Sequence, residues 1–329
     1  MSELGEFALI ERYFRHDGDD AAVRLGIGDD AAIVRPREGF DLVLTVDMMV
    51  EGRHFLPGTD PARLGHKILA VNLSDLAAMG AAPRFALLAG AMPAADAQWL
   101  DAFSRGLFAL AQAHGVTLIG GDTTRGPLNV CLTAIGEVPA GEGVQRSGAR
   151  VGDDVWVSGE VGDAMLALAT MQGRTALEGA ALDTARGRLE CPTPRVALGQ
   201  ALQGVATAMI DISDGLVGDL GHVLRSSGVG ARLDLACIPR STALAQKLAG
   251  PERDAALGWL LAGGDDYELC FTAAQERRAA VEHAGARTST AVTRIGSVTG
   301  AASGLVVLDR GRVLAPLPRA FDHFASKDA

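Results

Sequence analysis

The chain has 329 residues, of which 48% are apolar and 21% charged; that is about twice a common domain length, so two compact, core-forming domains are expected. Thirty basic against 40 acidic side chains give a formal charge of −10, and the basic residues are scattered, which excludes the positive stripe of a nucleic-acid surface. No apolar run is long enough to span a membrane, acids at Glu3 and Glu6 stand where a signal peptide carries bases, and four scattered cysteines form no Cys-x-x-Cys pair; a cytoplasmic protein without zinc, disulfides or membrane attachment is expected.

Residues 5–16 read as a short helix, followed by the turn Gly26-Ile27-Gly28-Asp29-Asp30. Residues 41–46 read as a strand that ends at Asp47, and 61–79, with Leu64, Ile68, Val71, Leu76 and Met79 recurring at helical spacing, as an amphipathic helix opened by Pro61. A strand over 85–92, a helix over 95–113 and a strand over 128–138 complete the first half. The polar, glycine-rich stretch 139–152 is the expected junction between an N-terminal domain (1–140) and a C-terminal domain (150–329). Beyond it come a strand at 154–158, helices at 161–171, 194–203 and 215–227, and strands near 231–236, 267–272 and 304–309. Strands alternate with helices in both halves, which predicts two α/β-type domains.

Many of the 41 glycines sit beside aspartates, as in Gly120-Gly121-Asp122 and Gly263-Gly264-Asp265-Asp266. Taken singly, such aspartates are turn and helix-cap residues. Asp75 differs, because it follows Ser74 inside an apolar helical stretch where an unpartnered carboxylate is costly. The segment Asp211-Ile212-Ser213-Asp214-Gly215 differs too, placing two carboxylates and a hydroxyl between an apolar strand and a helix. Convergent carboxylates repel one another and repel phosphate, and a hard divalent cation relieves both; the pattern points to Mg²⁺ joining the protein to a polyphosphate.

Two familiar nucleotide motifs do not fit. Gly26-x-Gly28-x-x-Ala31 has the spacing of a dinucleotide turn, but Asp29 and Asp30 would face the pyrophosphate and Pro36 interrupts the helix that should follow. Neither a Gly-x-x-x-x-Gly-Lys-Ser/Thr loop nor the protein-kinase signatures occur. His54 reads equally well as a substrate contact or a local structural histidine, and Asp153-Asp154 as a turn.

As a set, Gly26-Ile-Gly-Asp-Asp-Ala-Ala, Thr45-Val-Asp-Met-Met-Val-Glu-Gly-Arg-His-Phe55, Asn72-Leu-Ser-Asp-Leu-Ala-Ala-Met-Gly80, Gly120-Gly-Asp-Thr-Thr124, Asp211-Ile-Ser-Asp-Gly-Leu216 and Gly263-Gly-Asp-Asp-Tyr-Glu-Leu269 resemble the thiamine-monophosphate kinase family, in the family's order. The resemblance implies the two-domain α/β (α+β) architecture of the aminoimidazole-ribonucleotide synthetase superfamily. It implies a homodimer formed through the N-terminal sheet, and conversion of thiamine monophosphate to thiamine diphosphate with ATP and several Mg²⁺ ions. Carried over motif by motif, Asp30, Thr45, Asp47, Asp75, Asp122, Asp211 and Asp214 would hold the metals. Val46, where the family often has a second threonine, would serve through its carbonyl. Arg105, Gly121, Asp122, Arg146 and Ser213 would contact ATP, with Asp122, Arg146, Asp211 and Asp214 nearest the chemistry. His54 and Glu268 would face thiamine monophosphate, and Phe321 or, by preference, Phe324 would cover it.

The acceptor in that reading is a phosphate monoester, largely dianionic at neutral pH, so direct transfer needs no general base. Other readings stay open: a purine-pathway synthetase of the same superfamily, or a non-catalytic Mg²⁺/nucleotide sensor. Selenophosphate synthetase and hydrogenase-maturation relatives would need a functional cysteine, near the first glycine-rich loop or at the chain end, which this sequence does not place there.

Overall fold

A computed structural model describes residues 6–15 and 20–319, and divides the chain into two compact units at residue 143/144, with Ala77–Gly80 grouped with the second. The first unit contains α1 (Glu6–Tyr13), β1 (Val23–Leu25), β2 (Ile33–Val34), β3 (Phe40–Val50), α2 (Pro61–Ala78), β4 (Ala82–Met92), α3 (Ala97–His114), β5 (Thr117–Arg125) and β6 (Asn129–Pro139). Its main sheet has the order β3-β6-β4-β5; only β4 and β5 run parallel.

The period-two pattern of β3 sorts its side chains. Thr45, Asp47 and Met49 pair across to Ala134, Leu132 and Val130, all buried on the inner face. Leu42, Leu44, Val46 and Met48 point the other way and are 39–62% exposed, leaving an apolar outer face. Helix α2 is buried on nearly all sides, with Leu64, Ile68, Leu69, Leu73 and Leu76 no more than 1% exposed. It meets α3 at glycine contacts: a Cβ on Gly65 would lie 2.1 Å from the Phe103 carbonyl oxygen, and one on Gly106 only 1.8 Å from that of Ala62. Helix α3 starts where Asp96 accepts from the N–H groups of Gln98 and Trp99 (2.9 and 3.2 Å) and stops at Gly115 with φ 65°.

The second unit contains β7 (Asp154–Ser158), α4 (Asp163–Met171), α5 (Gly179–Glu190), α6 (Val196–Ala201), β8 (Ala208–Asp211), α7 (Leu216–Ser227), β9 (Val229–Asp234), α8 (Thr242–Ala249), α9 (Arg253–Ala262), β10 (Leu269–Ala273), α10 (Arg278–Arg287), β11 (Val292–Gly300), β12 (Leu305–Asp309) and β13 (Arg312–Val313). They form a seven-stranded sheet, β13-β12-β9-β11-β7-β10-β8, parallel only between β12 and β9. One face carries a core in which Val155 and Val157 of β7, Ile210 of β8 and Leu233 of β9 pack with Leu216, Leu220 and Val223 of α7 and Leu260 of α9. On β7 and β10 the opposite face is also buried, where Trp156 stacks on Phe271 with ring centroids 6.4 Å apart.

Both units are therefore mixed α/β structures whose sheets are mainly antiparallel. Elements beyond the sequence reading are β1, β2, β5, α5, α8, α9, α10, β11 and β13. No described helix is long and apolar enough to cross a membrane. The four cysteines are free thiols, and Asp153-Asp154 is more than a turn: Asp154 is 1% exposed and accepts from Arg278 Nε at 2.5 Å.

Candidate active site

In the first unit the strand and helix periodicities bring three of the expected residues together. Thr45 and Asp47, two apart on the inner face of β3, meet Asp75 on α2, and the Thr45 hydroxyl donates to the Asp75 carboxylate. Burial, and then the charge of Asp75, push the Asp47 carboxyl up to about 7. One turn before Asp75, the Asn72 side chain is fully buried; its Nδ2 donates to the Ile68 carbonyl at 2.9 Å, while Oδ1 has no partner among the described residues. Two neighbouring carboxylates beside a hydroxyl form an all-oxygen donor set that suits a hard divalent cation. Among the described residues no three His, Cys, Asp or Glu side chains of this chain form a closed metal cage.

The other expected residues of this unit occupy distinct settings. Val46 points to the outer face, 59% exposed, so only its backbone is on offer beside Thr45 and Asp47. Asp30 is exposed in the turn after β1, its N–H bonded to Asp29 Oδ1 at 2.8 Å. Gly121 and Asp122 are exposed on β5. Glycine is required at 121, because φ is +156° and a Cβ would lie 1.8 Å from the Leu88 carbonyl oxygen. Arg105 sits on the outer side of α3, paired one turn away with Asp101. His54 Nδ1 accepts from the Val50 N–H at 3.0 Å, which puts the ring proton on Nε2 and makes that nitrogen a donor.

In the second unit Asp211 ends β8, 4% exposed, and the chain then turns through residues 212–215 into α7. This turn interlocks with the loop 263–268. Asp265 and Tyr267 donate their N–H groups to the carbonyls of Ser213 (2.9 Å) and Ile212 (2.8 Å), and Ile212 N–H returns to Glu268 (2.8 Å). The partner loop is strained: Asp265 (φ 67°) and Tyr267 (φ 51°) are both left-handed, joined by a Tyr267 hydroxyl bond to Asp265 at 2.9 Å. Ser213 and Asp214 are half-buried, and Arg146 is exposed.

Glu268 is 2% exposed and engaged on both oxygens, accepting from Ser158 at 2.5 Å, from Arg195 Nε at 2.7 Å and from the second arm of the Arg195 guanidinium. It also lies against the Gly159 backbone, where a Cβ would be 2.1 Å from its Oε1. Asp266 accepts from the Gly162 N–H at 2.9 Å; burial, with Glu268, Asp163 and Asp265 near, pushes its carboxyl well above the usual range. Phe321 and Phe324 lie outside the described residues.

Two functional-looking residues have no part in the sequence reading. Arg195 clamps Glu268, and its only signal is a position after Pro192-Thr193-Pro194. Asp219, in the first turn of α7, accepts on one oxygen from the consecutive N–H groups of Ser213, Asp214 and Gly215 at 3.1, 3.0 and 3.0 Å. Burial drives its carboxyl up to about 7 against those donors. Its signal is the acid four to six residues past Ser213-Asp214-Gly215, where a first-turn side chain folds back onto its own helix start.

Residues 28–138 match the AIR synthase related protein, N-terminal domain, and residues 150–309 the AIR synthase related protein, C-terminal domain. The chain is 45% identical over 324 residues to the thiamine-monophosphate kinase of Escherichia coli, covering 98% of this chain and 99% of the relative. Its fold is similar to the crystal structure of thiamine-monophosphate kinase from Stenotrophomonas maltophilia, with TM-score 0.85, 46% identity, and 94% and 98% of the two chains covered. It is also similar to AaThiL complexed with AMPPCP and TMP, at TM-score 0.75 and 29% identity, covering 98% and 97% of the two chains.

Proposed function

The chain belongs to the thiamine-monophosphate kinase family, and from that premise we propose that it phosphorylates thiamine monophosphate with ATP, giving thiamine diphosphate and ADP by direct in-line transfer in the cytoplasm. The observation that carries the site assignment is the Thr45–Asp47–Asp75 trio, two carboxylates held close enough to raise one of them on an oxygen-only donor set. Several Mg²⁺ ions would be held by Asp30, Thr45, Asp47, Asp75 and Asp122 with the Val46 carbonyl in the first unit, and by Asp211 and Asp214 in the second. When bound they would supply the positive charge that lets two polyanions approach and that stabilises the transferred group.

The chain's own residues do the rest by binding and orienting. The acceptor is a monoester already ionised near neutral pH, so no side chain has to remove a proton. Exposed Arg146 is suited to charge developing on the transferred phosphoryl group, with Ser213 and Gly121 on the nucleotide. Arg105 would exchange Asp101 for a nucleotide phosphate. His54 offers an Nε2–H donor, and the clamped Glu268 a fixed carboxylate, to thiamine monophosphate; Phe324 is the proposed cover. The outer apolar row Leu42, Leu44, Val46 and Met48 suits a second copy of the chain, giving a homodimer through β3.

The test is to follow thiamine diphosphate and ADP from thiamine monophosphate, ATP and Mg²⁺. One-to-one formation of both, absent with EDTA and with free thiamine as acceptor, is expected. ATP binding with no product, or product from free thiamine, would overturn the assignment.

A further inference from the structure

The turn 212–215 has a property that the roles above do not use. All four of its backbone N–H groups are consumed inside the second unit: Ile212 donates to Glu268, and Ser213, Asp214 and Gly215 converge on Oδ2 of Asp219. Three consecutive amides converging on one oxygen form the kind of concavity that holds an anion, a phosphate oxygen included. Here a carboxylate of the same chain fills it, only 3% exposed. The carbonyls of Ile212 and Ser213 are taken by Tyr267 and Asp265, and that of Gly215 by Gly218 and Asp219. Gly215 (φ +113°) is pressed so closely on Ala262 that a Cβ would lie 2.6 Å from its carbonyl carbon, so the turn has little room to rearrange.

We infer that Asp219 is a positioning residue for the Asp211/Ser213/Asp214 cation-and-nucleotide turn: by occupying the amide concavity it leaves those three side chains, and not the backbone, to meet the ligand. The inference rests on the proposed role of that turn. An acid at 219 makes the turn a cation-binding element. Without it, three donors pointing at one spot would turn the same segment into an anion trap and would release the aim of Asp211 and Asp214.

The experiment compares the full chain carrying Asp219→Ala or Asp219→Asn with the wild type. Amide hydrogen exchange of peptides covering 211–215 is followed with and without Mn²⁺, and turnover is followed against Mg²⁺, ATP and thiamine monophosphate. Asp219→Ala is expected to speed exchange at 213–215 by about ten-fold or more and to abolish Mn²⁺-induced protection there. It should raise the half-saturating Mg²⁺ concentration about ten-fold or more, with KM for thiamine monophosphate changed less than about two-fold. Asp219→Asn keeps an acceptor oxygen of the same size and is expected to recover most of the exchange protection and part of the Mg²⁺ response.

Unchanged exchange and unchanged Mn²⁺ protection in a folded Asp219→Ala protein would overturn the inference. So would a uniform loss of kcat with normal Mg²⁺ dependence in which the asparagine does no better than alanine. If the alanine variant does not fold, the asparagine variant decides alone, and fast exchange at 213–215 with no Mn²⁺ protection in it, although it keeps the acceptor oxygen, overturns the inference. Absence of turnover in the wild type would instead count against the proposed reaction, and exchange with Mn²⁺ alone would still decide the role of Asp219.

Discussion

Replacing Asp47 by asparagine isolates the electrostatic cost of the first-unit trio. The Asp47 carboxyl is raised from 3.8 to about 7, first by burial and then by Asp75. Between those values the folded chain keeps a proton that the unfolded chain has lost. Metal-free stability therefore falls as pH rises through this window, at a slope approaching about 1.4 kcal/mol per pH unit for this group. Over the whole window the cost of ionising Asp47 reaches at most about 4 kcal/mol. Asparagine has the same shape and no such titration. In EDTA, Asp47→Asn should match the wild type below about pH 4 and exceed it progressively toward about pH 8, as read from urea unfolding midpoints at a series of pH values. Mg²⁺ should then stabilise the wild type at the upper pH far more than the variant, because binding to the folded state alone adds stability by mass action. A stability gap that does not change with pH, or an asparagine variant weaker than the wild type at about pH 8, would refute the reasoning.

Three further outcomes test other links. Gly106→Ala should cost about 3 kcal/mol or more and lower the melting temperature sharply, since its Cβ would sit 1.8 Å from the Ala62 carbonyl oxygen at a buried helix crossing. Arg195→Ala should cost about 3 kcal/mol, because buried Glu268 keeps only Ser158 and, at 4.0 Å, the Arg188 guanidinium, and pairing it with Glu268→Gln should recover part of that loss in a double-mutant cycle. Leu44→Arg, at a position 62% exposed on the outer face of β3, should halve the mass measured by light scattering while leaving the circular dichroism unchanged.

What could be read from sequence follows from how local each cause is. The strand over 41–46 and the helix over 61–79 announce themselves because β3 alternates and α2 is apolar at helical spacing; Asp75 stands out there for the same reason. Helices α5 and α10 escape because few of their residues face a core: Ala185, Leu189 and Glu190 in the first, Val281, Ala284 and Gly285 in the second. Strand β5 hides behind Gly120-Gly121-Asp122-Thr123-Thr124, which reads as a turn and is extended only because β4 pairs with it in parallel. β11 is broken by Gly296 and a register shift after Arg294. Arg195 acts through a contact made across the fold, and no spacing announces it; Asp219 acts on donors four to six residues before it, and taken singly it reads as an ordinary first-turn acid.

The acids of this chain divide by what holds them. Asp219 is satisfied by three amides, Asp266 by the Gly162 N–H, and Glu268 by Arg195 and Ser158. Asp219 and Glu268 are buried and Asp266 is half-buried, each with donors already supplied by the protein, and each lies in or against the segments around the turn 212–215. Asp30 and Asp122 are exposed and Asp214 is half-buried, while Asp47 carries a raised carboxyl beside Asp75. A sequence rich in Gly-Asp turns presents all of these as one constellation. The distinction matters for recognition of a polyphosphate. A Gly-Lys-Ser/Thr loop offers amides and a lysine directly to phosphate oxygens. Here the corresponding amides are spent on a carboxylate, so the turn offers a polyanion the side chains of Asp211, Ser213 and Asp214, two of which are acids. In the function proposed above that geometry calls for an intervening cation, and a dependence on Mg²⁺ would be a property of the backbone as much as of the aspartates that would touch the metal.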